Sequence, residues 1–213
     1  MHRGTNWVII DTETTGIRSP IWAVEIAAQR MCGWHREGAP FRVLLNHDVE
    51  IEPQAQAIHG YSRAYLRQNG LPPHEAHGRF RDYVGPSPLV AHNLSYDWDR
   101  VLFPEYQRLG VPVAGRRGFC ALTLARRVVA ETSGHGLDAL ASRFCPSRTV
   151  EHNALPDTLI VVELFEKVYG PRLTDAGITT FEAVAKFSTQ TPVVECRRRV
   201  LSAATGAPRH GVP

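Results

Sequence analysis

Trp7-Val8-Ile9-Ile10-Asp11-Thr12-Glu13-Thr14-Thr15-Gly16 decides how the chain is read. Four consecutive apolar side chains call for burial on both faces, as in a central strand of a sheet covered on each side. The run stops abruptly in polar residues, so a polar site is expected at the strand's end. Asp11 and Glu13 stand two apart, and alternation along a strand sends both side chains to one side. Carboxylates this crowded resist joint ionisation unless a cation offsets the repulsion, and hard oxygen ligands suit Mg²⁺ or Mn²⁺.

Outward from this strand, residues 21–31 and 41–52 read as two more strands, joined through Gly33, Gly38 and Pro40, and the three form an antiparallel meander. Residues 54–84 are helical, with breaks at His59-Gly60 and Gly70-Leu71-Pro72-Pro73, and Leu89-Val90-Ala91 is a short fourth strand. Asn93 or Ser95 can cap a helix running to about Leu109, in which Pro104 marks a kink or restart. Residues 119–122 form a last strand, and 123–130, 137–144 and 156–169 are helices, the last stopped by Gly170-Pro171. A weaker helical stretch covers 180–187. The class is α/β, a central mixed five-stranded sheet with a three-stranded antiparallel meander, flanked by helices. The organisation is one domain over 1–187 and a tail over 188–213, which holds a solvated Arg197-Arg198-Arg199 cluster and disorder from 203 onward.

Composition agrees with a globular chain. Of 213 residues 43% are hydrophobic and 21% charged, enough apolar material for one real core. A net charge of +3 is compatible with a polyanionic partner but far from the density of a purely electrostatic binder. No stretch approaches the roughly 20 apolar residues that span a bilayer, and Met1-His2-Arg3-Gly4 lacks the apolar segment of a signal peptide, so a cytoplasmic location without membrane association is expected. Cys32, Cys120, Cys145 and Cys196 lie far apart without a CxxC pair and are expected as reduced, mostly buried thiols.

Two further motifs carry chemistry. In Ala91-His92-Asn93-Leu94-Ser95-Tyr96-Asp97 a short strand runs into a helix start, with Asp97 in the first turn. The helix dipole alone favours an aspartate there by about 0.3–1 kcal/mol, and Asp99 would satisfy it equally well. In His152-Asn153-Ala154-Leu155-Pro156-Asp157-Thr158, Pro156 fits the first helical position with Asp157 after it, leaving His152 on the preceding loop. A loop histidine with an unperturbed pKa of about 6.5 can accept a proton from water near neutral pH.

Together Asp11, Glu13, Asp97, His152 and Asp157 resemble the DEDDh exonuclease family, which includes bacterial polymerase proofreading subunits. The likeness runs from about Trp7 to Val168 in the family's order, and takes in Ile58-His59-Gly60 and Leu137-Asp138-Ala139-Leu140-Ala141. A sister group has tyrosine four residues before the last aspartate; here that position is Asn153, so the histidine subgroup is indicated.

The resemblance implies a ribonuclease H-like fold and a 3′ to 5′ exonuclease that releases nucleoside monophosphates from a single-stranded 3′ end, on DNA in proofreading or repair. It implies two Mg²⁺ or Mn²⁺ ions, one held by Asp11, Glu13 and Asp157, the other bridged by Asp11 with its hydration shell steadied by Asp97. His152 would deprotonate the attacking water. Thr14, Thr15 and Gly16 would offer backbone contacts to the terminal sugar, and His59, Asn93 and Tyr96 would face the end nucleotide. RNA 3′-end trimming stays open, since the motifs do not read a 2′ hydroxyl, as does a catalytically silent nucleic-acid-binding module. The tail carries no recognisable polymerase-binding peptide, which leaves a polymerase partner unsupported.

Overall fold

A computed structural model describes residues 6–204. At its centre β1 (Asn6–Thr14) pairs antiparallel with β2 (Ala23–Cys32) and parallel with β5 (Pro88–Ala91). A two-residue strand, β3 (His35–Arg36), and β4 (Phe41–Leu44) both pair antiparallel with β2, and β6 (Arg116–Cys120) lies parallel to β5. The sheet order is β3-β2-β1-β5-β6 with β4 beside β2. The expected mixed sheet and meander are therefore present, with β3 as a small addition.

Alternation along β1 divides the interior. Trp7 and Ile9 enter a core with Phe119, Phe165 and the helices α5 (Ala121–Val128), α6 (Leu137–Phe144), α7 (Ala154–Leu164) and α9 (Phe181–Gln190). Val8 and Ile10 enter a second core with Ile26, Phe80, Trp98 and Tyr106, under α3 (Pro73–Val84), a π-helical stretch Ser95–Leu102 and α4 (Phe103–Leu109). The same alternation continues into the polar end of β1. Asp11 and Glu13 follow Ile9 toward α7, while Thr12 and Thr14 follow Ile10 toward the π-helical stretch.

Several boundaries differ from those expected. The strand expected over 41–52 ends at Leu44, because Asn46 N–H donates to Leu71 O, Leu44 O accepts from Leu71 N–H, and Asp48 adopts φ 54°. The helical stretch divides into α1 (Pro53–His59), α2 (Arg63–Asn69) and α3, with breaks at Gly60 and Gly70 as expected. The last strand occupies Arg116–Cys120, and Ala121 already opens α5. Pro156 is the third residue of α7, not the first. A proline is tolerated there because the first four N–H groups of a helix have no internal acceptor.

Gly170-Pro171 does not stop this helix. The chain passes through a π-helical stretch, Phe165–Tyr169, into α8 (Gly170–Asp175). The wider turn accommodates the N–H that Pro171 lacks. Gly170 is there for closeness, since a Cβ would lie 2.6 Å from Trp34.

The expected boundary at 187 falls inside α9, and α10 (Val193–Ala204) packs against α5 and α8. Cys196 and Val200, one turn apart, are buried in the first core; of the expected solvated arginine cluster Arg198 and Arg199 stay exposed, whereas Arg197 is half-buried and donates to Arg126 O at 3.1 Å. The disorder expected from 203 falls almost wholly outside the described residues. Among the described residues no disulfide joins the four cysteines; Cys145 and Cys196 are buried and the other two half-buried. Among the described residues no helix is long and apolar enough to cross a membrane.

Candidate active site

Asp11 and Glu13 from β1 meet Asp157 from the first turns of α7, and carboxylate oxygens of all three lie within 4.8 Å of one another. Helix α7 lies across β1 and β2, so residues some 145 positions apart converge through the packing of one helix on one strand face. Asp97 approaches from the other side of the strand. Its Oδ1 accepts from the backbone N–H of Thr12 at 3.1 Å and from the Thr12 hydroxyl at 2.8 Å. This separates Asp97 from Asp99, which stays exposed in a salt bridge to Arg117.

The electrostatics are those of a site short of positive charge. Burial, then Asp97, Glu13 and Asp157, push Asp11 well above the ordinary carboxylate range. Glu13 is pushed up to about 8 by burial, then by Glu25, Asp157 and Asp97. Burial raises Asp97 to about 7 against the opposing Thr12 bonds, and burial also raises Asp157. Crowded oxygen donors that the protein itself leaves uncompensated fit a hard divalent cation.

His152 is exposed on the loop before α7, with a left-handed φ of 52°. The neighbouring Glu151 N–H donates to Asp157 Oδ1 at 3.1 Å, and His152 itself acts electrostatically on the Asp157 carboxylate.

A cleft of about 460 Å³ opens beside Glu13, within the size range of small-ligand sites. Thr14, Gly16, His59 and Tyr96 line it, together with Ile17 and Ile58, which are 67% and 56% exposed. The Tyr96 hydroxyl lies 2.8 Å from Thr14 Oγ1 and donates to Gly16 O at 3.1 Å. His59 Nδ1 accepts from Tyr61 N–H at 3.0 Å, which leaves Nε2 to donate to Thr14 O at 3.1 Å. Both ring nitrogens of His59 are thus committed to the protein. Thr15 is buried away from it: its N–H donates to Trp22 O at 2.9 Å and its carbonyl accepts from Glu52 N–H at 2.7 Å. Asn93 is exposed outside the cleft lining, accepting from Ser95 Oγ at 3.0 Å. At Gly16, with φ 149°, a Cβ would stand 2.2 Å from the Glu52 side chain, so only glycine fits.

Sequence reading missed Glu25, Arg42, Tyr61 and the side chain of Asn153. Glu25 is fully buried on β2, directly opposite Glu13. The available signal was a charge inside the apolar run Ala23-Val24-Glu25-Ile26-Ala27-Ala28.

Residues 8–165 match the RNase T family, described as exonuclease. The chain belongs to this exonuclease family. It is 30% identical over 210 residues to a protein of Mycobacterium tuberculosis (strain CDC 1551 / Oshkosh) named as a bifunctional exonuclease/endonuclease, covering 94% of this chain and 32% of that one. It is 29% identical over 185 residues to the DNA polymerase III epsilon subunit of Salmonella typhimurium, covering 78% and 72%. E. coli exonuclease I bound to a dT13 oligonucleotide superimposes with a TM-score of 0.70 at 18% identity, over 80% of this chain and 43% of that one. Exonuclease X in complex with 5′ overhanging duplex DNA superimposes at 0.59 with 26% identity, over 85% and 99%. The chain thus spans about a third of the mycobacterial relative and under half of exonuclease I.

Proposed function

We propose that the chain is a 3′ to 5′ exonuclease acting on single-stranded DNA ends with two Mg²⁺ or Mn²⁺ ions. The observation that carries this reading is the convergence of Asp11, Glu13 and Asp157 within 4.8 Å at the edge of a nucleotide-sized cleft. Asp11, Glu13 and Asp157 would hold the cations, with Asp97 beside them. When bound, such cations supply positive charge at the phosphoryl oxygens and a readily ionised water.

The remaining work falls to the protein's own groups. His152, on an exposed loop next to Asp157, accepts the proton of the attacking water. The cleft takes the terminal nucleoside, with Gly16 letting backbone come close and Ile17 and Ile58 offering apolar surface to the base. Thr14 and Tyr96 hold the Gly16 turn in shape through their mutual hydrogen bonds. His59 acts from behind, bonding Thr14 O. The polarity follows the motif resemblance, and the choice of DNA draws on relatives named for DNA polymerase III and on structures solved with DNA.

The test uses matched DNA and RNA 20-mers labelled at either end, with Mg²⁺ and a chelator control. The expected result is a ladder of 5′-labelled DNA products, immediate release of 3′-label as mononucleotide, and silence with chelator. Immediate release of 5′-label would reverse the polarity, and faster digestion of RNA would transfer the reading to RNA 3′-end trimming.

A further inference from the structure

Between the sheet and the loop that carries His152 lies a buried polar knot for which the reaction above has no use. Glu25 Oε1 takes Arg42 Nε at 2.5 Å, and its Oε2 accepts from the N–H of Ala154, the first residue of α7, at 3.0 Å. Tyr61, on the connection between α1 and α2, puts its hydroxyl 2.8 Å from Glu25 Oε2 and 2.5 Å from Asn153 Oδ1. Arg42 Nη2 donates to the same phenol oxygen at 2.9 Å. The phenol proton is therefore shared between two acceptors while its oxygen is held from a third side.

The Asn153 amide has one sensible orientation, because its Nδ2 donates to Glu151 O at 3.1 Å and so leaves Oδ1 for Tyr61. Both neighbours of His152 are consequently tied, Glu151 through its carbonyl and its N–H bond to Asp157, Asn153 through its side chain. His152 between them sits at φ 52°. A non-glycine residue persists there only where its surroundings over-determine the backbone.

We propose that Tyr61 is a positioning residue: through Asn153 it fixes the backbone turn that aims His152 at the Asp11, Glu13 and Asp157 cluster. This deepens the exonuclease reading and rests on it. A hydroxyl that served only to satisfy buried Glu25 would affect stability and nothing specific to His152.

Tyr61→Phe removes the hydroxyl alone and keeps the ring stacked between His59 and Tyr65, at 5.1 and 5.7 Å between centroids. Hydrolysis of a 3′-labelled single strand with Mn²⁺ is measured in the wild type, Tyr61→Phe, Asn153→Ala, His152→Ala and both double variants, together with histidine-ring NMR of the metal-free proteins. Tyr61→Phe and Asn153→Ala each lower kcat about ten- to a hundredfold with KM unchanged. Neither slows His152→Ala further, and the His152 ring signals move in both. An equal loss in the two backgrounds, or full activity in Tyr61→Phe, overturns the proposal. Should the wild type cleave no strand, the exonuclease reading falls by itself, and the ring signals still decide this one: His152 signals unmoved in both variants overturn it.

Discussion

Glu13 and Glu25 stand directly opposite one another across the antiparallel β1–β2 pair, so their side chains emerge on the same face of the sheet. Like charges in that relation ordinarily destabilise a sheet. The two differ in what else they meet. Glu25 is answered by Arg42, Tyr61 and the Ala154 N–H. Glu13 has its pKa raised by burial first, and then by Glu25, Asp157 and Asp97. The fold answers one carboxylate with charge and hydrogen bonds and leaves its partner uncompensated.

Arg42 therefore carries stability out of proportion to its half-exposed position. Arg42→Met leaves a fully buried carboxylate without its charge partner. Breaking a buried pair costs about 3–5 kcal/mol, and solvent around the guanidinium brings the expectation down to about 2–3 kcal/mol. Urea denaturation measures it. Glu25→Gln added to Arg42→Met should recover part of the loss, and an unchanged midpoint in the single variant would contradict the assignment.

The acidic cluster fixes the sign of the pH dependence without metal. Glu13 and Asp97 have folded-state pKa values of about 8 and about 7, above those of an unfolded chain. Raised values mean that the folded state binds more protons, so this contribution is fully present below about pH 4 and is lost as pH rises through 7 to 8. The chelated protein should melt at higher temperature at pH 5.5 than at pH 8. Bound at the proposed site, Mn²⁺ should oppose this trend, because a cation favours the ionised forms, and the gain in Tm on adding it should be larger at pH 8. Thermal scans at both pH values, with and without Mn²⁺, check this.

How much of this was legible in the sequence depends on the range of the interaction. The strand Trp7–Ile10 and the placement of Asp11 and Glu13 are consequences of alternation, a local rule, and they appear as read. Asp97 against Asp99 was undecidable locally, because both suit a helix start; contact with Thr12 from another element separates them. Thr15 is expected beside the terminal sugar from its place in the turn, and Asn93 beside the end nucleotide from the family resemblance, whereas backbone bonding to Trp22 and a turn at Ser95 hold them outside the cleft lining. Asn153 offered no reading because its partner, Tyr61, lies 92 positions away. Helix α10 went unread since the three arginines obscured the one-turn spacing of Cys196 and Val200.

Removing a site carboxylate should separate catalysis from folding. Asp157→Asn keeps an acceptor for the Glu151 N–H but removes a charge that crowds Asp11 and Glu13. Nucleotide release should fall about 10³-fold or more, while the metal-free protein melts at the same or a higher temperature. His152→Ala should slow hydrolysis by about 10²–10⁴-fold with Mn²⁺ affinity, measured by titration calorimetry, unchanged. Loss of that affinity would make His152 a ligand.

Ile17 and Ile58 are large apolar side chains left in water on two different elements that border one cleft. Exposing them brings the free protein no packing, so their contribution should arise when a base covers them. Fully burying such a side chain gains about 1.5–3 kcal/mol, and a base sharing its faces with both would recover a fraction of that from each. Ile17→Ala and Ile58→Ala should therefore each raise KM for a single strand about three- to tenfold, with Tm nearly unchanged and kcat lowered less than KM is raised. Steady-state kinetics on an oligonucleotide of mixed sequence measures the split. A loss confined to Tm would mean that the two side chains support the Gly16 turn and α1 and do not touch substrate.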